Sequence, residues 1–297
     1  MSKEKSWTIL ELLEWTTEHF AQRGIEAAKL DAECLLAHAL GTKRLQLYVD
    51  FEKTPEIEER ARFRELVVRR AAERVPVSQL IGKKEFWSLE LDVSGDVLSP
   101  RPETETLVEA ALARLPDPRG QYRILDLGTG SGAIALALSS ERSEALVTAT
   151  DISPEALQIA SSNADKLHLS ERLRFLEGDL LGAVPGEQFD LVVSNPPYVA
   201  RRDADSLPPE LAHEPEVALY GGEDGFAVSS RLVAEVRGAL VPEGVFAIEI
   251  APGQAERVAE ECRKAGLEEI EVLRDLAKRP RVVAARKPAE PARDERK

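Results

Sequence analysis

The sequence predicts an α/β protein, a largely parallel sheet with helices on both faces, preceded by a small helical domain. Three observations carry this. Apolar residues recur at helical spacing through the first 75 positions. From Arg123 onward short apolar runs alternate with helical patterns, the order of parallel strands joined by crossover helices. A glycine-rich turn directly follows the first of those strands.

Thr8-Ile9-Leu10-Glu11 reads as a capping box, in which hydroxyl and carboxylate each satisfy an orphan amide. Behind it Ile9, Leu13, Thr16 and Phe20 share one helical face, and Gly24 ends the run. Leu30, Cys34, Ala37 and Leu40 repeat the spacing up to Gly41. Thr54-Pro55 predicts an N-cap with proline at the first helical position, opening a helix to about Arg74. Residues 1–75 therefore form one helical domain. Between Val75 and Asp96 the period changes, and Phe86, Leu89, Leu91 and Val93 predict strands joined by a tight turn, a hairpin linker over 76–102.

The main domain is expected over 103–287. A helix runs from Glu103 to Leu115, followed by strands at 123–127, 145–150, 173–176, 189–193 and 244–250. Helices are expected at 133–140, from Ser153-Pro154 onward, at 228–240 and at about 254–265. The closing β-rich segments, 270–273 and 281–285, have no helix between them and should pair antiparallel. The tail 288–297 is charged and proline-containing, a composition that stays disordered.

With 297 residues, 43% of them apolar, the chain can build one large or two ordinary domains. The net charge of −14 argues against a protein that grips nucleic acid through its phosphates. The arginine-rich stretch from Arg60 to Arg74 reads as a solvated helix face. Cys34 and Cys262 sit in apolar segments as buried free thiols, and neither they nor the four histidines have metal-ligand spacing, so no metal is expected. No run approaches the roughly 18 apolar residues a membrane span needs, and the expected compartment is the cytoplasm.

Asp126-Leu127-Gly128-Thr129-Gly130-Ser131-Gly132 follows the first strand and opens a helix. Glycines let the backbone approach a ligand, and the helix start offers free amides. Alone this fits a structural turn or a dinucleotide site, with Ala133 and Asp151 completing that pattern. Three acids shift the reading. Asp126 stands two residues before the first glycine, placed to meet a cationic methionine end. Asp151 ends the second strand, placed to accept from ribose hydroxyls. Asp179 follows the third, placed to accept from an adenine amino group with Leu180 packing on the ring. Each acid taken singly also fits a helix N-cap. Together they suit S-adenosylmethionine, which carries one positive charge and no phosphate, on a Rossmann-like methyltransferase sheet.

The fourth strand runs into Asn195-Pro196-Pro197-Tyr198. Prolines cannot continue the ladder. The Asn195 side-chain oxygen and the Pro196 carbonyl can accept the two N–H bonds of a planar amide or amino nitrogen, while Tyr198 offers a flat wall. Such a nitrogen is a poor nucleophile, so orientation and charge stabilisation are the catalysis these residues would provide.

Asn-Pro-Pro-Tyr on such a sheet resembles the methyltransferases acting on exocyclic or amide nitrogens. Phe86-Trp87-Ser88-Leu89, Pro100-Arg101-Pro102-Glu103-Thr104-Glu105, the run Glu214 to Gly225 and Arg279-Pro280-Arg281-Val282-Val283 resemble the release-factor glutamine methyltransferases, the HemK/PrmC family. The resemblance covers nearly the whole chain. It implies methyl transfer from S-adenosylmethionine, which becomes S-adenosylhomocysteine, to the glutamine of a Gly-Gly-Gln motif in class-1 peptide chain release factors. It further implies that Gly128 to Gly132, Asp151, Leu180 and Asn195 line the cofactor. Asn195, Pro196, Pro197 and Tyr198 would hold the glutamine. The Arg101–Glu105 segment, just before a helix, reads either as an N-terminal cap with ion pairs or as a wall of the substrate channel, where Phe86 is also placed. The helical domain has its own apolar periodicity and precedes every chemical motif, so it is expected to recognise the protein substrate. Two departures are visible, Ser99 before Pro100 and Ala251-Pro252 after Glu249-Ile250. The segment 200–225 is long enough to be a lid. The rival readings are a nucleic-acid amino methyltransferase, with Tyr198 stacking on an extruded base, and a non-catalytic binding protein.

Overall fold

In the computed structural model, which describes residues 7–289, Thr8 caps α1 (Ile9–Ala21) as its box requires. The Thr8 hydroxyl accepts from the Glu11 amide at 3.2 Å, and the Glu11 carboxylate accepts from the Thr8 amide at 2.9 Å. Ile9, Leu13, Thr16 and Phe20 are all buried on one face. Helices α2 (Ala28–Ala39), α3 (Arg44–Val49), α4 (Ile57–Val68) and α5 (Val77–Ile81) complete a helical unit. It extends to Lys83 and takes in Pro208–His213 from much later in the chain. Phe20, Leu35, Leu36, Leu47 and Phe63 form its centre, each contributing about 1.5–3 kcal/mol by leaving water. The Arg70 guanidinium lies between Asp31, 2.8 Å away, and Glu210, 2.9 Å away, and Gln79 donates to the His213 carbonyl at 2.8 Å. These bonds fasten 208–213 to the unit.

Two details differ from expectation. Helix α4 opens at Glu56 rather than Thr54, because the Glu59 carboxylate reaches back to the Glu56 amide at 2.8 Å and supplies the capping partner. It passes into a widened π turn over Arg69–Glu73 and stops at Arg74, whose φ of 62° leaves the helical region. Helix α5 occupies residues expected to begin the β region. Pro76 sets its entry and Gly82, at φ 71°, its exit. One and a half turns are too short to display a period.

The second unit comprises Lys84–Leu207 and the residues from Glu214 on. Its hairpin pairs β1 (Lys83–Phe86) with β2 (Leu89–Asp92). Trp87 and Ser88 both take positive φ, 51° and 58°, the backbone that matches a two-residue turn to strand twist. Helix α6 (Glu105–Arg114) precedes β3 (Arg123–Leu127), α7 (Ala133–Glu141), β4 (Leu146–Asp151), α8 (Pro154–Lys166), β5 (Leu173–Glu177) and β6 (Phe189–Ser194). Short turns and α9 (Glu216–Leu219) lead to α10 (Ala227–Val236), β7 (Leu240–Glu249), α11 (Ala255–Lys264), β8 (Glu268–Arg274) and β9 (Pro280–Arg286).

The seven strands lie in the order β5-β4-β3-β6-β7-β9-β8, with β9 antiparallel to both its neighbours. Alternation along β3 sends Ile124 into one apolar layer and Leu125 and Leu127 into the other, so both sheet faces are covered. The chain runs outward from β3 through β4 to β5, then returns to β6 on the other side. Crevices form at the carboxyl ends of strands where the winding reverses in this way. The Ser194 hydroxyl donates to the Leu127 carbonyl at 2.8 Å and aligns those two ends. Cys262 is buried and Cys34 partly so, and neither forms a disulfide. No helix among the described residues is long and apolar enough to cross a membrane. Of the expected disordered tail, residues 290–297 lie outside the described range.

Candidate active site

A cavity of about 590 Å³ opens where β3, β4 and β6 end, within the size range of small-molecule sites. The turn after β3 is shaped by two amides, Gly128 and Thr129, that both donate to the Thr150 carbonyl at 2.9 Å. Gly128 and Gly130 take positive φ, 71° and 55°, which glycine adopts without strain. Gly128, Thr129, Gly130 and Ser131 line the cavity. Gly132 does not. It caps α7 at φ 84°, where a side chain would press on Ala160 at 3.2 Å, so its role is packing between turn and helix.

Asp151 lines the cavity and stiffens the turn. One carboxylate oxygen accepts from the Gly130 amide at 2.9 Å and the other from the Ser153 amide at 3.0 Å. A carboxylate has about four acceptor positions, so capacity remains for a ligand. Asp179 and Leu180 also line the cavity, with Asp179 held by Arg231 at 2.7 Å on its half-exposed rim.

Asp126 departs from expectation. It has no exposed surface, and it bonds beneath the turn to the Thr129 hydroxyl at 2.6 Å and the Ala135 amide at 3.2 Å. Both bonds go to one carboxylate oxygen, which braces the loop from below, while the other oxygen is buried without a partner, and Asp126 is not among the residues that line the cavity. Burial pushes it up to about 7, the two hydrogen bonds opposing and nearby Asp151 adding. Phe86 also departs: it is 2% exposed and packed in the sheet's core, because strand alternation turns it inward.

At the end of β6, Asn195 and Pro197 line the cavity, while Pro196 is buried and Tyr198 lies behind the lining. The Asn195 amide nitrogen donates to the Thr104 hydroxyl at 3.3 Å, and its side-chain oxygen is buried with no partner. The Tyr198 hydroxyl bonds the Glu249 carboxylate at 3.2 Å, which anchors the ring. Burial, with the Glu249 charge adding, raises the Tyr198 phenol above its ordinary value, so it stays protonated.

Arg101 lines the cavity and is held at 2.6 Å by Glu214, which also accepts from the Ser99 amide at 3.2 Å. Burial raises Glu214, with Arg101 opposing. Thr104, in the Arg101–Glu105 segment, lines the cavity, whereas Glu214, Glu249 and Arg231 are not marked as site residues by the sequence motifs. The signal for Glu249 was present, since it ends β7 as Asp151 ends β4. Among the described residues no cluster of histidine, cysteine and acids could hold a metal ion.

The segment 200–225 does not hang free. Val199 pairs with Tyr220, the Gly221 amide donates to the Val199 carbonyl at 3.0 Å, and the Arg201 amide to the Gly222 carbonyl at 3.0 Å. Its two ends are therefore clamped onto the Asn-Pro-Pro-Tyr strand end.

Comparison with known proteins accords with this geometry. Residues 11–82 match the model of the PrmC N-terminal domain, and residues 104–231 match that of the methyltransferase small domain. The crystal structure of a methyltransferase from Pyrococcus furiosus shares the fold, with a TM-score of 0.50 and 20% identity over 67% of this chain and 89% of that one. A release factor glutamine methyltransferase of Escherichia coli is 38% identical over 93% of this chain and 99% of its own length. One from Rhodopirellula baltica is 44% identical over 96% of this chain and 98% of its own. Similarity of this degree along almost the entire length of both partners shows that the chain belongs to the release factor glutamine methyltransferase family.

Proposed function

We propose that the protein methylates the side-chain amide nitrogen of the glutamine in the Gly-Gly-Gln motif of class-1 peptide chain release factors, with S-adenosylmethionine as donor. The observation that carries this is the Asn195 side-chain oxygen, buried, without a partner, on a residue that lines the cavity. An unfilled buried acceptor costs about 1–3 kcal/mol, and an incoming N–H removes that cost. The donor fits the same cavity. Asp151 keeps acceptor positions for ribose hydroxyls, Leu180 gives an apolar face for a base, and the glycine turn lets backbone approach closely.

Once bound, the donor supplies an electrophilic methyl group on sulfonium. The protein's own contribution is orientation. Asn195 Oδ1 and the Pro196 carbonyl accept the two amide hydrogens and fix the plane of the nitrogen. As the nitrogen gains a carbon its hydrogens become more acidic, so both bonds strengthen at the moment of transfer. One proton then leaves to water, and no side-chain base is needed.

Labelled-methyl transfer tests the reading with release factor, nucleic acid and no acceptor compared side by side. Label should enter the factor, and a factor with glutamate in place of the glutamine should take none, since its oxygens would face two acceptors. Asn195→Ala should lower turnover by on the order of 100-fold, as for loss of one preorganised contact, with cofactor affinity changing less. Methylation of DNA or RNA with none of release factor would favour a nucleic-acid amino methyltransferase.

A further inference from the structure

Beyond Ser194 the sheet can no longer hold the strand end that carries Asn195. The paired register of β6 with β7 stops at Ser194 beside Ile248. Pro196 and Pro197 then bring two residues without an amide, so neither can donate a ladder bond. The return segment comes close here, since an added carbon at Gly225 would lie 2.4 Å from the Tyr198 carbonyl. Among the described residues no backbone amide donates to the Tyr198 carbonyl or to that of Gly225. Gln254 meets both. Its side-chain nitrogen donates to the Gly225 carbonyl at 2.8 Å and to the Tyr198 carbonyl at 3.4 Å, and its side-chain oxygen accepts from the Ala251 amide at 3.3 Å. A side-chain amide has two N–H donors and one oxygen, and all three bonds agree on a single orientation of the group. We propose that Gln254 is a positioning residue for methyl transfer, replacing the missing ladder between β6 and β7 and holding the Asn-Pro-Pro-Tyr strand end against the start of α10. This rests on the reading of Asn195 as the acceptor for the substrate amide.

Gln254 does not line the cavity, but both segments that it ties do. Asn195 and Pro197 line it just before Tyr198, and Val228 and Arg231, on α10, line it just beyond Gly225. The third contact, the Ala251 amide, lies just past β7, so the side chain is referred to the sheet rather than to a mobile tip. Pro252 opens the tight turn Pro252–Gln254, and α11 follows at once, which confines the backbone from which Gln254 reaches. Bonds between neutral groups add little to folding stability. A reacting group displaced by about 1 Å, in contrast, can lose 10²-fold in rate. The mark of Gln254 is therefore expected on turnover more than on stability or cofactor binding.

The test is a double-mutant cycle in the full chain. Gln254→Met keeps the length and loses all three bonds, whereas Gln254→Glu keeps an oxygen for the Ala251 amide and turns the other against two carbonyls. Each is made alone and together with Asn195→Ala, and kcat, KM for the acceptor and cofactor affinity by calorimetry are read. Alone, each should lower kcat by about 10- to 100-fold and leave cofactor affinity within about threefold, because the glycine turn, Asp151 and Leu180 follow β3, β4 and β5. On top of Asn195→Ala the same substitution should cost less than about threefold, since the contact it positions is already gone. Wild-type kcat in both Gln254 variants overturns the proposal, and so does a kcat loss matched by lost cofactor affinity. An equal factor with and without Asn195 also overturns it, as the sign of a general loss of packing. If Gln254→Glu does not fold, Gln254→Met, which brings no charge, still decides. Full turnover in Asn195→Ala alone refutes the acceptor reading and this proposal with it, whereas full turnover in the Gln254 variants refutes this proposal only. All rates are measured on whichever acceptor the wild-type enzyme methylates, so an incorrect release-factor assignment shows separately, in the wild-type assay.

Discussion

Two acids at the ends of neighbouring strands have opposite fates. Asp151 stays at the cavity wall, and its loss removes a charged acceptor from the ligand as well as two bonds that hold the glycine turn. Asp151→Ala should weaken S-adenosylmethionine binding by about 1.5–3 kcal/mol, the range for hydrogen bonds to a charged group. Unchanged affinity by calorimetry in a folded variant would remove it from the site. Asp126 lies under the turn, and its consequence is for stability. Its ordinary value of 3.8 rises to about 7 in the folded state, chiefly by burial. Between those values the folded protein holds the proton more often than the unfolded one, so stability falls as pH rises. The contribution is fully present below the lower value and lost as pH passes through the higher. An amide at this position cannot titrate, so denaturant unfolding of wild type against Asp126→Asn should move in favour of the variant between pH 5 and pH 8 (a window spanning the rise to about 7). A constant difference across that window would contradict the shift. The two acids look alike in sequence because strand ends announce themselves, whereas the direction a side chain takes past the last ladder bond depends on what fills the space below it.

At the scale of elements, the site depends on how the chain returns over the Asn-Pro-Pro-Tyr strand end. An added side-chain carbon at Gly221 would lie 2.3 Å from the Pro197 carbonyl and 2.7 Å from that of Gly225. At Gly225, where φ is +74°, it would lie 2.4 Å from the Tyr198 carbonyl. These neighbours are backbone and cannot swing aside, so Gly221→Ala must push the two segments apart. Displacement of about 1 Å at a reacting group can cost 10²-fold, and kcat should fall on that order, with a lowered melting temperature. Normal turnover would show that the clamp is not needed. The strands of the main sheet were legible, since both-face burial leaves continuous apolar runs at β3 and β6 and the crossovers leave a helical period. The return segment was legible only as a long loop, because its bonds are backbone to backbone and leave no side-chain pattern. Helix α5 and the true cap of α4 were hidden likewise. One is too short for a period, and the other uses a glutamate pair where Thr-Pro gives the more familiar signal.

Over the whole molecule, the chemistry sits in one unit while the other remains to be explained. Residues lining the cavity all belong to the second unit, so the proposed site predicts that a short peptide bearing Gly-Gly-Gln is itself a substrate. The helical unit carries Leu10, Trp15, Leu45, Tyr48, Val49 and Phe51 as exposed apolar side chains. It also claims Pro208–His213 through Arg70 and Gln79, and the next residue in the chain, Glu214, holds Arg101 at the cavity. A surface of this kind can bind a protein substrate away from its glutamine and spend that energy on placing the amide. If it does, kcat/KM for an intact release factor should exceed that for a Gly-Gly-Gln peptide by on the order of 10²–10³, which at about 1.4 kcal/mol per factor of ten is about 3–4 kcal/mol. Replacing Trp15 and Phe51 by serine should reduce the intact-factor value toward the peptide value and leave the peptide value where it was. The peptide is an internal control, since a variant that damaged the catalytic unit would lose both. Equal efficiency for peptide and factor in the wild type would assign all recognition to the cavity and leave the helical unit a purely structural role.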